Sequence, residues 1–145
     1  ALGLTNGNMS IIEFNNGMKK FEEKFLNRIH DGAIEDIDYE SVGKFIITAS
    51  NDNSCKILKN MGEKLSVVSI FSKEGAKFTS ISMFPLQNVV ATAYSNKKLL
   101  FWDCESERKI TEISQDHKIN TIISMKQKRI IVTGNSKGEL YFYRY

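Results

Sequence analysis

Two unrelated landmarks recur along this chain at the same changing interval. A small residue closing a strand-like run stands at Gly3, Ala49, Ala93 and Gly134, in steps of 46, 44 and 41 residues. A large apolar residue near the end of the next run stands at Ile12, Leu58, Trp102 and Tyr143, in the same three steps. Unrelated strands would not drift in unison, so the chain is built from repeats. Each repeat holds three short runs: 33–39, 44–49 and 54–58; 78–84, 88–93 and 98–102; 119–125, 129–134 and 139–143. The runs are rich in Ile, Val, Phe and Tyr and bounded by Asn, Ser, Gly or Lys, the pattern of strands joined by tight turns. A fourth strand fits after each third one, at 20–25, 64–69 and 109–113.

The expected fold is all-β, made of β-propeller blades of four antiparallel strands, because four short strands per unit of about 40–45 residues mark that architecture. A four-stranded sheet has two apolar faces and buries both only between like neighbours. The units divide near 1–29, 30–71, 72–115 and 116–145, about three and a half blades. A closed ring needs about four to eight blades, so the expectation is part of a ring of about seven, completed by further blades or by another chain. The chain opens on Ala1, inside a repeat, which points to a longer protein. An arc of this length is expected to expose an apolar blade face at each end. Segment 18–29 also fits a helix, with Phe21, Phe25 and Ile29 four apart, but the repeat assigns it a strand.

Trp102-Asp103 end a third strand, and His30, Thr48 and Asp52 lie in the repeat before it. His30 and Asp52 are 22 residues apart, and Asp52 and Leu58 are six apart. In these features the chain resembles the WD-repeat family. The resemblance implies a buried hydrogen-bond chain from a His before the first strand, through a Ser or Thr in the second and an Asp in the tight turn, to a Trp. Leu58 stands at the Trp position, so the chain here is truncated to His30, Thr48 and Asp52. The next repeat keeps Trp102 but has Glu74 and Asn96 at the His and Asp positions. The last has His117, with Lys137 in place of the Asp. Buried imidazole and carboxylate groups are tolerable only when each donor and acceptor has a partner. His30, Thr48, Asp52 and Trp102 are therefore expected as a structural network, and His117, lacking its carboxylate, as an exposed side chain.

The sequence contains no Gly-Lys-Ser/Thr phosphate loop, dinucleotide fingerprint, His-Glu-x-x-His or Gly-x-Ser-x-Gly elbow, so no enzyme activity, metal or cofactor is expected. Cys55 takes the strand position of Leu99 and Leu140 and reads as a core residue; Cys104 reads as an exposed thiol in a turn. Forty-nine residues apart, they fit neither a ligand pair nor a cystine framework. Glu35, Asp36 and Asp38 look like an acid–base set, but strand alternation makes them a solvated edge. Asn8-Met9-Ser10 matches a glycosylation acceptor, which means nothing without secretion. The longest apolar runs, such as Phe45-Ile46-Ile47, are too short to cross a bilayer, and no signal peptide is visible. A cytoplasmic location follows as the expectation.

The 145 residues carry 20 Lys and Arg against 17 Asp and Glu and are 41% apolar, which excludes a disordered tail or a disulfide scaffold. The charge is uneven, since 118–145 holds six basic residues against Glu139 alone. Lys126, Lys128 and Arg129 share one turn, which reads as solvated; a nucleic-acid partner is not expected. Tyr141, Phe142, Tyr143 and Tyr145 suit packing between blades better than base stacking. The expected function is that of a non-catalytic protein-interaction scaffold. By the WD-repeat resemblance, partners dock on the rim formed before the first strand and between the second and third. That rim carries Gly32, Asn51, Ser72, Lys73, Ser95, Lys97, Asp116 and Ser136. Segments 32–49, 76–84 and 134–143 are also similar to the propeller of the endoplasmic-reticulum exchange factors for the COPII-coat small GTPase. This second resemblance implies a small-GTPase partner, nucleotide exchange through surface contacts in vesicle formation, and the cytosolic face of the endoplasmic reticulum. The glycine-rich loop and membrane anchor tied to that activity are not among these residues.

Overall fold

The computed structural model describes residues 1–39, 45–61, 64–72, 75–84, 88–125 and 128–144. Among them every helix or strand is a strand, and the strands form four antiparallel sheets in sequence order. Sheet one holds β1 (Leu2–Gly3), β2 (Asn8–Asn15) and β3 (Lys20–Arg28). Sheet two holds β4 (Ile34–Tyr39), β5 (Phe45–Ser50), β6 (Ser54–Asn60) and β7 (Leu65–Ser72). Sheet three holds β8 (Phe78–Phe84), β9 (Val89–Tyr94), β10 (Lys98–Asp103) and β11 (Lys109–Ser114). Sheet four holds β12 (Ile119–Met125), β13 (Ile130–Asn135) and β14 (Leu140–Arg144). The strand order inside each sheet follows the sequence, as hairpins joined by short turns dictate. This is the blade arrangement of a propeller, and the helix considered for 18–29 is strand β3, paired with β2 along its length.

The sheets repeat in register and also in their irregularities. Gly3, Ala49, Ala93 and Gly134 pair with Met9, Cys55, Leu99 and Leu140, the same rung in each sheet. The inner strands β4, β8 and β12 each slip by one residue after their start, between Ile34 and Asp36, Phe78 and Ser80, and Ile119 and Thr121. The left-over residues Glu35, Thr79 and Asn120 form repeated β-bulges, which re-aim side chains at the strand end. The equivalent turns β1–β2, β5–β6, β9–β10 and β13–β14 have one left-handed residue each: Gly7, Asn53, Lys97 and Gly138, with φ of 81°, 66°, 69° and 81°. Gly7 meets the strictest demand, because a Cβ there would lie 2.0 Å from the His30 carbonyl oxygen.

Each core lies between sheets rather than within one. Met9 meets Ile46 and Leu58 between sheets one and two. Ile47, Cys55, Ile57 and Phe71 of sheet two pack on Phe78, Met83, Val90 and Leu100 of sheet three. Phe84, Ala93, Leu99 and Phe101 of sheet three pack on Ile119, Ile122 and Ile131 of sheet four. Stacking therefore supplies the burial that a single four-stranded sheet cannot supply alone. The last sheet shows the consequence at an uncovered face. Cys55 and Leu99 are fully buried, whereas Leu140 on the same rung is 63% exposed; Ile57 and Phe101 are buried, whereas the equivalent Phe142 is 65% exposed.

Both thiols belong to one core. Cys55 is buried in it, and burial pushes its thiol well above the usual range. Cys104 differs from the exposed residue expected of a turn. Its N–H donates to the Asn88 carbonyl at 2.7 Å, its side chain packs against the same core, and burial pushes its thiol up to about 12.

Candidate functional site

The rim predicted for partners is held by a repeated backbone bond. Asn51, Ser95 and Ser136 each follow a second strand. Their N–H groups donate to the carbonyls of Ala33, Lys77 and Lys118, which precede the neighbouring inner strands, at 3.0, 2.8 and 2.9 Å. The second-to-third turn and the entry to the first strand are thus fastened together in three successive sheets. Ser72, Asn51, Ser95, Lys97, Asp116 and Ser136 are exposed, and Gly32 is half-buried. Lys73 lies outside the described residues, as do Lys44, Glu74 and Lys126. Gly32 has a steric reason: a Cβ there would meet Asn51 Oδ1 at 2.0 Å. Asn51 and Ser95 come together around a pocket of about 370 Å³ that also receives Glu35, Lys77, Thr79, Lys118 and Asn120. The basic run of the last sheet does not form one patch. Lys118 and Lys137 belong to this rim, while Lys128 and Arg129 lie in the β12–β13 turn at the opposite end of the sheet.

Beneath the rim, His30, Thr48 and Asp52 form a closed network. Asp52 Oδ2 lies 2.9 Å from His30 Nδ1, and Thr48 Oγ1 lies 2.8 Å from Nε2. An ionised carboxylate only accepts, so Nδ1 carries the proton and Nε2 accepts from the Thr48 hydroxyl. Asp52 also accepts from the Asp31 and Ser54 backbone N–H groups at 3.0 and 2.8 Å and from the Ser54 hydroxyl at 2.7 Å. Burial acts to raise the Asp52 pKa, but the hydrogen bonds from Ser54, His30 and Asp31 outweigh it and bring it down to about 2. Burial lowers the His30 pKa, against the raising effect of Asp52, so the ring is neutral at pH 7. With every polar atom of the ring engaged and the side chain 1% exposed as a residue, His30 is a structural group.

The network recurs in altered form. In sheet three, Trp102 Nε1 donates to Thr92 Oγ1 at 2.8 Å, so Trp102 does not join the His30 chain but forms the second half of an equivalent one. In sheet four the residue at the His register is Gln115, not His117. Its Nε2 donates to Thr133 Oγ1 at 2.7 Å and to Tyr143 Oη at 2.8 Å. Gln115 precedes Thr133 by 18 residues, as His30 precedes Thr48, and that interval was the signal available in the sequence. His117 is half-buried, two residues past the register.

Asp36 and Asp38 differ most from their expected role. They are not a solvated edge but a clamp between sheets two and three. Asp36 Oδ2 accepts from Ser80 Oγ and the Ile81 N–H, both at 2.8 Å. Asp38 Oδ2 accepts from Ser82 Oγ at 3.1 Å and the Met83 N–H at 2.8 Å. Ser80 Oγ in turn accepts from the Ile122 N–H at 3.0 Å, which continues the link into sheet four. At β8 and β12 the innermost strand has edge N–H groups with no neighbouring strand, and side chains of the preceding sheet accept from Ile81, Met83 and Ile122. Replacing Asp36 by alanine orphans Ile81 N–H and is expected to cost about 2 kcal/mol; Asp36→Asn, which keeps an acceptor, is expected to cost about half as much. Urea-unfolding midpoints measure both.

No family model matches the chain. In sequence it is similar to the WD repeat-containing protein 55 homologs of Drosophila persimilis and Drosophila pseudoobscura pseudoobscura. Each is 23% identical over 143 residues, covering 97% of this chain and 27% of the relative. In fold it is similar to the crystal structure of the β-propeller domain of Cps50 (Swd1) from Myceliophteria thermophila. The TM-score is 0.85 at 13% identity, covering 99% of this chain and 49% of that one. The chain is an arc of β-propeller blades, related in sequence to WD-repeat proteins. It spans about a quarter of the length of the curated relatives it matches.

Proposed function

We propose that this arc is a non-catalytic protein-interaction scaffold whose partners dock on the rim carrying Gly32, Asn51, Ser72, Lys73, Ser95, Lys97, Asp116 and Ser136. The observation that carries this reading is the thrice-repeated bond from Asn51, Ser95 and Ser136 to the preceding inner-strand entry. It holds exposed polar side chains in fixed positions, so a partner meets a surface already ordered and little conformational entropy is lost on docking. The WD-repeat relatives support the same class. Among the described residues no helix is long and apolar enough to cross a membrane.

The reading includes completion of the ring by further blades or another chain. Leu140 and Phe142 are uncovered on rungs where their counterparts are buried. Beside the edge of β14, a cavity of about 500 Å³ opens between β11 and β14; among the described residues sheet four has three strands where sheets two and three have four. The test is a quantitative comparison of co-purifying proteins. Arginine at Asn51, Ser95 and Ser136 together should remove specific partners, whereas Arg129→Glu on the opposite rim should not. Equal partner sets for both variants would overturn the assignment of the rim. The exchange-factor reading rests on segments 32–49, 76–84 and 134–143 alone. Unchanged nucleotide release from the COPII-coat GTPase with the full polypeptide would remove it.

A further inference from the structure

We propose that the pocket at the rim's centre receives a single carboxylate, the side chain of an Asp or Glu in an extended segment of the partner protein. This rests on the docking reading above and names the chemistry it would use. The pocket gathers hydrogen-bond donors from three sheets. Lys77 enters from sheet three and Lys118 from sheet four, at equivalent positions just before β8 and β12. Neither ammonium has an ion-pair partner among the described residues. The same pocket is lined by Thr79, the bulge residue of β8, whose Oγ1 is buried with no hydrogen-bond partner among the described residues. A buried hydroxyl is ordinarily paired, so an unpaired one lining a pocket marks a position where an acceptor is missing. Asn51 and Asn120 add amide groups at the margin.

The sign and size of the missing group follow from the balance of charge. The lining holds two ammonium groups and, among the described residues, one acidic side chain, Glu35, which leaves a single positive charge. A carboxylate matches that excess and has two oxygens, enough to accept from both lysines and from Thr79. A phosphate dianion would overfill the balance and meet Glu35 as a like charge. The pocket opens onto the rim, so a side chain projecting from an extended backbone reaches it without distortion.

The test uses short synthetic peptides, each carrying one Glu in a Gly-Ser background, measured by fluorescence anisotropy against the full polypeptide that contains these residues. The same peptides with Gln or phosphoserine replacing Glu, and a duplex DNA oligonucleotide, complete the set. The Glu peptides are expected to bind, and their Gln counterparts to lose at least about tenfold. Lys77→Gln and Lys118→Gln should each weaken Glu-peptide binding about tenfold, and Thr79→Val about fivefold, without moving the melting temperature. Glu35→Gln should tighten it, about threefold. Equal binding of Glu and Gln peptides, no binding by any peptide, or tighter binding of phosphoserine peptide or DNA would each overturn the proposal. Loss of partners in the triple rim variant together with any of these outcomes would leave the docking reading intact and remove only the carboxylate.

Discussion

Replacing Gly7 by alanine is expected to destabilise the protein by roughly 3 kcal/mol, while the same change at Gly138 costs only about 1 kcal/mol. The two glycines hold the same φ of 81° in equivalent turns, Gly7 between β1 and β2 and Gly138 between β13 and β14. Both variants therefore bear the penalty of a side chain in the left-handed region. Their surroundings differ. Nothing lies within 4 Å of a Cβ at Gly138, but at Gly7 the Cβ would sit 2.0 Å from the His30 carbonyl oxygen and 3.0 Å from that of Gly32. Those atoms are backbone and cannot rotate aside. The Gly7 carbonyl also accepts from the Ile29 and His30 N–H groups at 3.0 and 3.1 Å, so moving this turn breaks the link between sheets one and two. Urea midpoints of the two variants measure the difference. Equal losses would show that the close approach to His30 does not set the cost.

The contrast also shows what the sequence could and could not reveal. Every sheet obeys the interval of Gly3, Ala49, Ala93 and Gly134, because strand pairing is local and its hairpins leave turn residues and alternation in the sequence. Gly7 and Gly138 mark the left-handed turn by residue type, but Lys97 holds the same conformation with no such sign. Gln115 was hidden by chemistry rather than by spacing. A motif read as histidine points to His117, whereas the position is fixed by its 18-residue distance from Thr133 and is filled by an amide that also donates. Asp36 and Asp38 were hidden for a third reason. Alternation tells which face of β4 they share, but not that it meets the unpaired edge of β8 forty-five residues on. The bulge residues Glu35, Thr79 and Asn120 are equally silent, since a one-residue slip changes no residue type.

Removing the Asp52 carboxylate is expected to have the other large effect, about 3–4 kcal/mol for Asp52→Ala. One side chain accepts from His30 Nδ1, from Asp31 and Ser54 backbone N–H groups and from the Ser54 hydroxyl. Without it the buried imidazole keeps a proton with no strong acceptor, and the turn loses the bonds that close it. Asp52→Asn retains an acceptor and should cost about 1–2 kcal/mol at neutral pH. Its more telling consequence lies in acid. The Asp52 pKa in the folded protein is about 2, below the 3.8 of a free aspartate, so its contribution is fully present above pH 4 and is lost as pH falls towards 2. That loss amounts to about 2 kcal/mol for a side chain this well covered. The His30 pKa is also lowered, from 6.5, so its neutral form stabilises the fold above that pH, and stability declines as pH falls below it. The parent protein should therefore weaken in two stages, the first beginning near pH 6.5 and the second between 4 and 2. In Asp52→Asn the second stage disappears, and the gap in stability from the parent closes between pH 4 and 2. A gap that stays constant through that interval would mean that the carboxylate is not the ionised hub of this network.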